Sequence, residues 1–140
     1  MPQSLRTEYT PTLLAPYPLN CMPQPPHSHP VNSASAALQS DSNAWYTKGE
    51  MLADKGRYRE ALDCFNKAIE LQADHCAAWV FRGVMALHLE QYLEALRSCD
   101  RALEIQPTSS EAWMFRGVAL HRLNRYREAY TSYDRALDKQ

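Results

Sequence analysis

From residue 42 to residue 140 the apolar positions recur at steps of three and four, and the whole pattern repeats every 34 residues. Displaced by that interval, Trp45 falls on Trp79 and Trp113, Gly49 on Gly83 and Gly117, and Tyr58 on Tyr92 and Tyr126. Ala61, Ala95 and Ala129 coincide, as do Ala68, Ala102 and Ala136, while the place of Phe65 is taken by Cys99 and Tyr133. A fixed period carrying this many matched positions marks a repeat architecture. Within the second copy, Trp79, Gly83, Val84 and Leu87 share one helical face, and Leu96, Cys99, Ala102 and Leu103 share another. Each unit is therefore two helices, expected over 42–54 and 58–71, 76–88 and 92–105, and 110–122 and 126–139.

Turn residues separate the two helices of each unit. Lys55-Gly56-Arg57, Glu90-Gln91 and Asn124 stand at corresponding places, and Gly and Asn tolerate the left-handed backbone that ends a helix. Ser40, Asp74 and Thr108 are N-cap residue types at the same interval, and Thr108 with Glu111 has the spacing of a capping box. The glycines of the first helices and Ala61, Ala95 and Ala129 of the second leave little bulk where paired helices touch. Glycine inside a helix costs roughly 0.5–1 kcal/mol relative to alanine, so three in register imply close packing that outweighs the cost.

Composition adds a boundary. Residues 1–41 hold eight of the nine prolines and three charges, whereas 42–140 hold Pro107 alone and 28 charges. A disordered Pro-rich leader, 1–41, is thus expected before three units at 42–75, 76–109 and 110–140. A net charge of −1 and a pI of about 6.5 give no general attraction to nucleic acid or to acidic membranes. No apolar run is long enough for a membrane span or a signal peptide. Cys21, Cys64, Cys76 and Cys99 form no C-x-x-C pair, so no disulfide framework is expected, and the chain reads as soluble and cytoplasmic.

The pattern W-x(3)-G, Y-x(2)-A, an aromatic or small residue and then A-[LI], in 34 residues, resembles the tetratricopeptide repeat over about seventy per cent of the chain. Pentatricopeptide repeats, which read RNA, have a different length and lack this Trp and Gly placement. Three features depart from the family pattern: Arg82 and Arg116 stand where Leu is usual, Ala73 replaces the terminal proline of the first unit, and the third unit ends at Gln140. The resemblance implies an all-α, right-handed superhelical solenoid whose first helices line a concave groove. Carried over by position, the groove residues are Asn43, Tyr46, Thr47 and Glu50, then Val80, Phe81, Val84 and His88, then Met114, Phe115, Val118, His121 and Arg122, with Glu111 beside them. Such a trough suits an apolar or amphipathic segment of a partner protein. Chaperone-adaptor relatives grip C-terminal carboxylates with Lys, Asn and Arg, but the matching positions here are Tyr46, Glu50, Phe81, Glu111 and Phe115. Two of these are acidic, and that role is not expected.

Other chemistry finds little support. Cys21, His27 and His29 match no standard zinc spacing, and no nucleophile triad, phosphate loop or carboxylate pair stands out, so neither an enzyme nor a cofactor is expected. Pro23-Gln24-Pro25-Pro26 satisfies P-x-x-P, though a tether explains the composition as well. The last unit is the basic one, at net +2. Its final helix, with Tyr130, Tyr133 and Leu137, has no successor in the sequence, which raises self-association through that face or a place at the front of a longer array.

Overall fold

The computed structural model describes residues 33–138, in which six helices follow one another without a strand. They are α1 (Ser33–Asp54), α2 (Tyr58–Leu71), α3 (Cys76–His88), α4 (Tyr92–Ile105), α5 (Ser110–Arg122) and α6 (Tyr126–Leu137). Helices adjacent in sequence pack against one another throughout, and α3 also touches α5. The chain is thus a stack of three antiparallel hairpins. Five of the six predicted helices begin where the periodicity places them.

The exception is α1. It starts at Ser33, not at residue 42, and runs through Ser40, the expected N-cap. Pro30 is the last proline before it, and the segment that follows, Ser-Ala-Ser-Ala-Ala-Leu, is rich in helix formers with no residue that would break a helix. Residues 34–41 are exposed, so these turns form outside the stack. The other caps lie one residue later than expected. Ser109 Oγ accepts from the Ala112 amide at 3.2 Å, and His75 Nδ1 does the same for Ala78 at 3.2 Å. Thr108 accepts from the Gln106 side chain at 3.0 Å, one residue before the Ser109 cap.

Inside each hairpin the glycines perform the task their register implies. A Cβ on Gly49 would lie 2.7 Å from the Phe65 ring, and one on Gly117 would lie 2.5 Å from Tyr133. Gly83 is less tightly enclosed, with Cys99 Sγ at 3.2 Å from the same construction. The three turns repeat one backbone device: Gly56, Glu90 and Asn124 all have positive φ, at 77°, 61° and 65°. Only the middle one carries a residue poorly suited to it.

Between hairpins the tryptophans and the two unusual arginines recur in register. Trp79 Nε1 donates to the Ala73 carbonyl and Trp113 Nε1 to the Pro107 carbonyl, both at 2.8 Å. Arg82 lies over Trp79 and donates from Nε to Asn66 Oδ1 at 2.7 Å and from a terminal nitrogen to Ser98 Oγ. Arg116 lies over Trp113 and repeats the arrangement with Asp100 at 2.7 Å and Ser132 at 2.6 Å. Each guanidinium therefore ties its own first helix to its own second helix and to the second helix of the preceding unit. Ser98 and Ser132 are fully buried, and the arginine supplies the donor that such a hydroxyl needs.

Cys64 and Cys99 are free and buried, and burial pushes the Cys99 thiol up to about 12. Cys76 is disulfide-bonded, although the sequence pattern predicts no disulfide framework. The prolines of the P-x-x-P segment, and Cys21, His27 and His29, lie outside the described residues.

Candidate partner-binding groove

The residues expected to line a groove divide into four groups. Tyr46 and Val80 belong to the core. Val80 has no exposed surface and Tyr46 only 6%. This corrects the sequence expectation for Val80, whose side chain is enclosed in the main cluster with Phe65, Ala77 and Ala112 and cannot reach a ligand. The Tyr46 ring sits 5.6 Å from Phe65, 5.0 Å from His75 and 5.9 Å from Phe81, so it joins the first two units.

A second group is half-buried and apolar. Phe81, Val84 and Phe115 pack on the main cluster while keeping part of their surface open, and Val118 has the same intermediate exposure. Met114 is more open, at 42%. These residues come from α3 and α5, first helices that touch one another.

A third group stacks on aromatic rings, two of its members across the junctions between units. His88 stacks on Tyr58 at 4.1 Å with the rings nearly parallel. One repeat later Arg122 takes the same place, lying 5.6 Å from the centre of the Tyr92 ring and donating to its hydroxyl at 3.0 Å. His121 meets Tyr126 edge to face at 5.0 Å, within the last unit. All three are exposed, with one side already occupied by an aromatic ring.

The fourth group is polar. Asn43 and Thr47 are exposed, and Asn43 Oδ1 lies 3.1 Å from His75 Nε2. His75 is buried, and its Nδ1 accepts the helix cap, so the ring is neutral with its proton on Nε2, donating to Asn43. Burial lowers its pKa, against the weaker opposing pull of its own backbone and of Asp74. Sequence reasoning missed His75 because histidine is not a favoured N-cap type.

Glu50 is the most perturbed carboxylate. Burial, opposed by the Tyr46 hydroxyl and assisted by the Asp54 charge, lifts its pKa from 4.5 to about 7. Glu50 Oε2 and Glu111 Oε1 are buried and have no hydrogen-bond partner among the described residues. A buried carboxylate oxygen without a donor costs of the order of 1–3 kcal/mol. No group of three His, Cys, Asp or Glu poised for a metal occurs among the described residues, and none of the described helices is long and apolar enough to cross a membrane.

The tetratricopeptide repeat model matches residues 46–110 and again 106–140, more than half of the chain. The chain belongs to the tetratricopeptide repeat family. The six described helices form the right-handed superhelical solenoid of that family, preceded in sequence by the Pro-rich segment. Several solved tetratricopeptide structures share the fold. The second such domain of Spaghetti (RPAP3), bound to the HSP90 peptide SRMEEVD, is 22% identical, with 78% of this chain and all of that one covered at a TM-score of 0.75. The Arabidopsis OM64 domain is 25% identical, with 71% and 83% covered and a TM-score of 0.71. The TPR2B domain of yeast Sti1, from its complex with pHsp70, is 18% identical, with 69% and 78% covered and a TM-score of 0.68. No curated protein sequence matches the chain.

Proposed function

We propose that this tetratricopeptide array is a non-enzymatic scaffold or adaptor that holds an extended or helical segment of a partner protein against its first helices. Peptide binding by structural neighbours, such as the SRMEEVD complex of Spaghetti, supports a protein-interaction role for the fold. The observation that carries the reading is the combination of half-buried Phe81, Val84, Phe115 and Val118 with two half-buried carboxylates, Glu50 and Glu111, on the first helices.

That pairing selects the ligand's chemistry. Apolar side chains lose water against the aromatic and aliphatic wall, while Lys, Arg or a free backbone N–H satisfies the carboxylates. An acidic tail such as SRMEEVD meets the opposite of what it needs. Tyr46, Glu50, Phe81, Glu111 and Phe115 occupy the places where carboxylate-gripping relatives use Lys, Asn and Arg, so acidic C-terminal peptides are not ligands here. Asn43, Thr47, Met114, His121 and Arg122 form the more open margin of the same surface.

Selection of displayed peptides on the full chain tests this. Enriched sequences combine apolar residues with Lys or Arg, and Val84→Asp and Phe115→Ala each weaken a selected peptide by about tenfold or more, with helicity unchanged by circular dichroism. Enrichment of acidic tails, or affinity indifferent to both substitutions in folded protein, contradicts the proposal.

A further inference from the structure

The arginine ties between units have an unfilled place at each end of the described stack. Asn66, Asp100 and Asp134 stand at 34-residue intervals on α2, α4 and α6. Asn66 accepts from Arg82 and Asp100 from Arg116, so in each case the acceptor belongs to one unit and the donor to the first helix of the next. Asp134 is the third acceptor. It is exposed, and its carboxylate has no ion pair among the described residues. At the other end Lys48 takes the register position of Arg82 and Arg116. Its ammonium lies over its own Trp45 ring, 5.1 Å from the centroid, and forms no ion pair among the described residues, though its charge is felt by Glu60 of the same hairpin.

The apolar surroundings of these two charges differ from their internal counterparts in the same sense. On α4, Leu96 is 8% exposed and packs in one cluster with Ala119 and Leu120 of α5, whereas its counterpart on α6, Tyr130, is 58% exposed. Leu103 is half-buried, and its counterpart Leu137 is 80% exposed. On the first helices, Met85 and Ala119 are 4% and 0% exposed, whereas their counterpart on α1, Met51, is 55% exposed. One end thus presents a cation without an ion pair beside an open methionine, and the other a carboxylate without an ion pair beside an open tyrosine and leucine.

We propose that copies of this chain stack head to tail, with α1 of one copy seated on α6 of another in the repeat register, so that Lys48 meets Asp134 and Met51 is covered against the Tyr130 and Leu137 face. The contact is heterologous, so it leaves a free end on each side and propagates into open chains of copies. It uses the outer faces of α1 and α6 and does not depend on the groove reading.

Sedimentation velocity of the full chain over a concentration series tests it. The wild-type mass average rises with concentration. Asp134→Lys and Lys48→Asp each place like charges in the contact and weaken association by more than about tenfold. An equimolar mixture of the two variants restores association, because every contact between unlike copies then pairs opposite charges. Both positions are exposed, and circular dichroism verifies that each variant is folded. A wild type that remains monomeric at all concentrations overturns the proposal. So does association that ignores both reversals, or a mixture that fails to recover it.

Discussion

Single residues carry two separable costs here, the buried charge of Glu50 and the tight packing at Gly49. Glu50 binds a proton more tightly folded than unfolded, since its pKa rises from 4.5 to about 7 on burial. Between those values the folded state holds more protons, so the contribution of Glu50 to stability falls as pH rises from about 4.5 to about 7 and stays low above. Glu50→Gln therefore raises the melting temperature at pH 8, and the gain shrinks toward pH 5; a gain that does not vary with pH contradicts the burial argument. At Gly49 the added methyl of alanine meets a fully buried Phe65 at 2.7 Å. Overpacking of this kind costs about 1–3 kcal/mol, more than the roughly 1 kcal/mol that helix propensity returns. Gly83→Ala meets its first neighbour only at 3.2 Å and is expected to stay within about 1 kcal/mol of wild type. Chemical denaturation of both variants decides the matter, and equal losses at the two positions would show that the ring contact is not what selects glycine.

Among elements, the turn between α3 and α4 is the one whose residue disagrees with its backbone. Glu90 holds φ at 61°, where Gly56 and Asn124 hold the same conformation at lower cost. Glu90→Asn is expected to stabilise by roughly 0.5–1 kcal/mol, read as a rise of a few degrees in melting temperature, and an unchanged or lower value refutes strain at this turn. The helices themselves were legible because tryptophan, glycine and alanine recur at a fixed interval and each repeat must pack on its neighbour. What was not legible followed local chemistry. The start of α1 depended on an alanine-rich run after the last proline, which composition had assigned to the leader. The caps fell to His75 and Ser109 because a buried side chain one residue along reached the amides first. Of the residues expected to line a groove, Phe81, Val84, Phe115 and Val118 retain surface, whereas Tyr46 and Val80 turn inward, since periodicity fixes a helical face only to within the width of one side chain. The arginines at 82 and 116 read as departures from a leucine pattern, and only their buried serine partners 16 residues on explain them.

Over the whole molecule the three units are neither identical nor independent. The second and third tryptophans share one environment, each bonded to the carbonyl of the preceding inter-unit turn and covered by an arginine from its own helix. The first stands beneath Lys48. Phe81 from α3 and Phe115 from α5 join the core cluster that Tyr46 anchors, so the first helices of all three units contribute to one continuous body. We propose that this inner wall, and not the second helices, receives the partner. Backbone amide NMR shifts on titrating a selected peptide into the full chain test it most directly. Perturbations clustered on α3 and α5 around Phe81, Val84, Phe115 and Val118, with Glu50 of α1, are the predicted result. Perturbations confined to α2, α4 and α6 would contradict it.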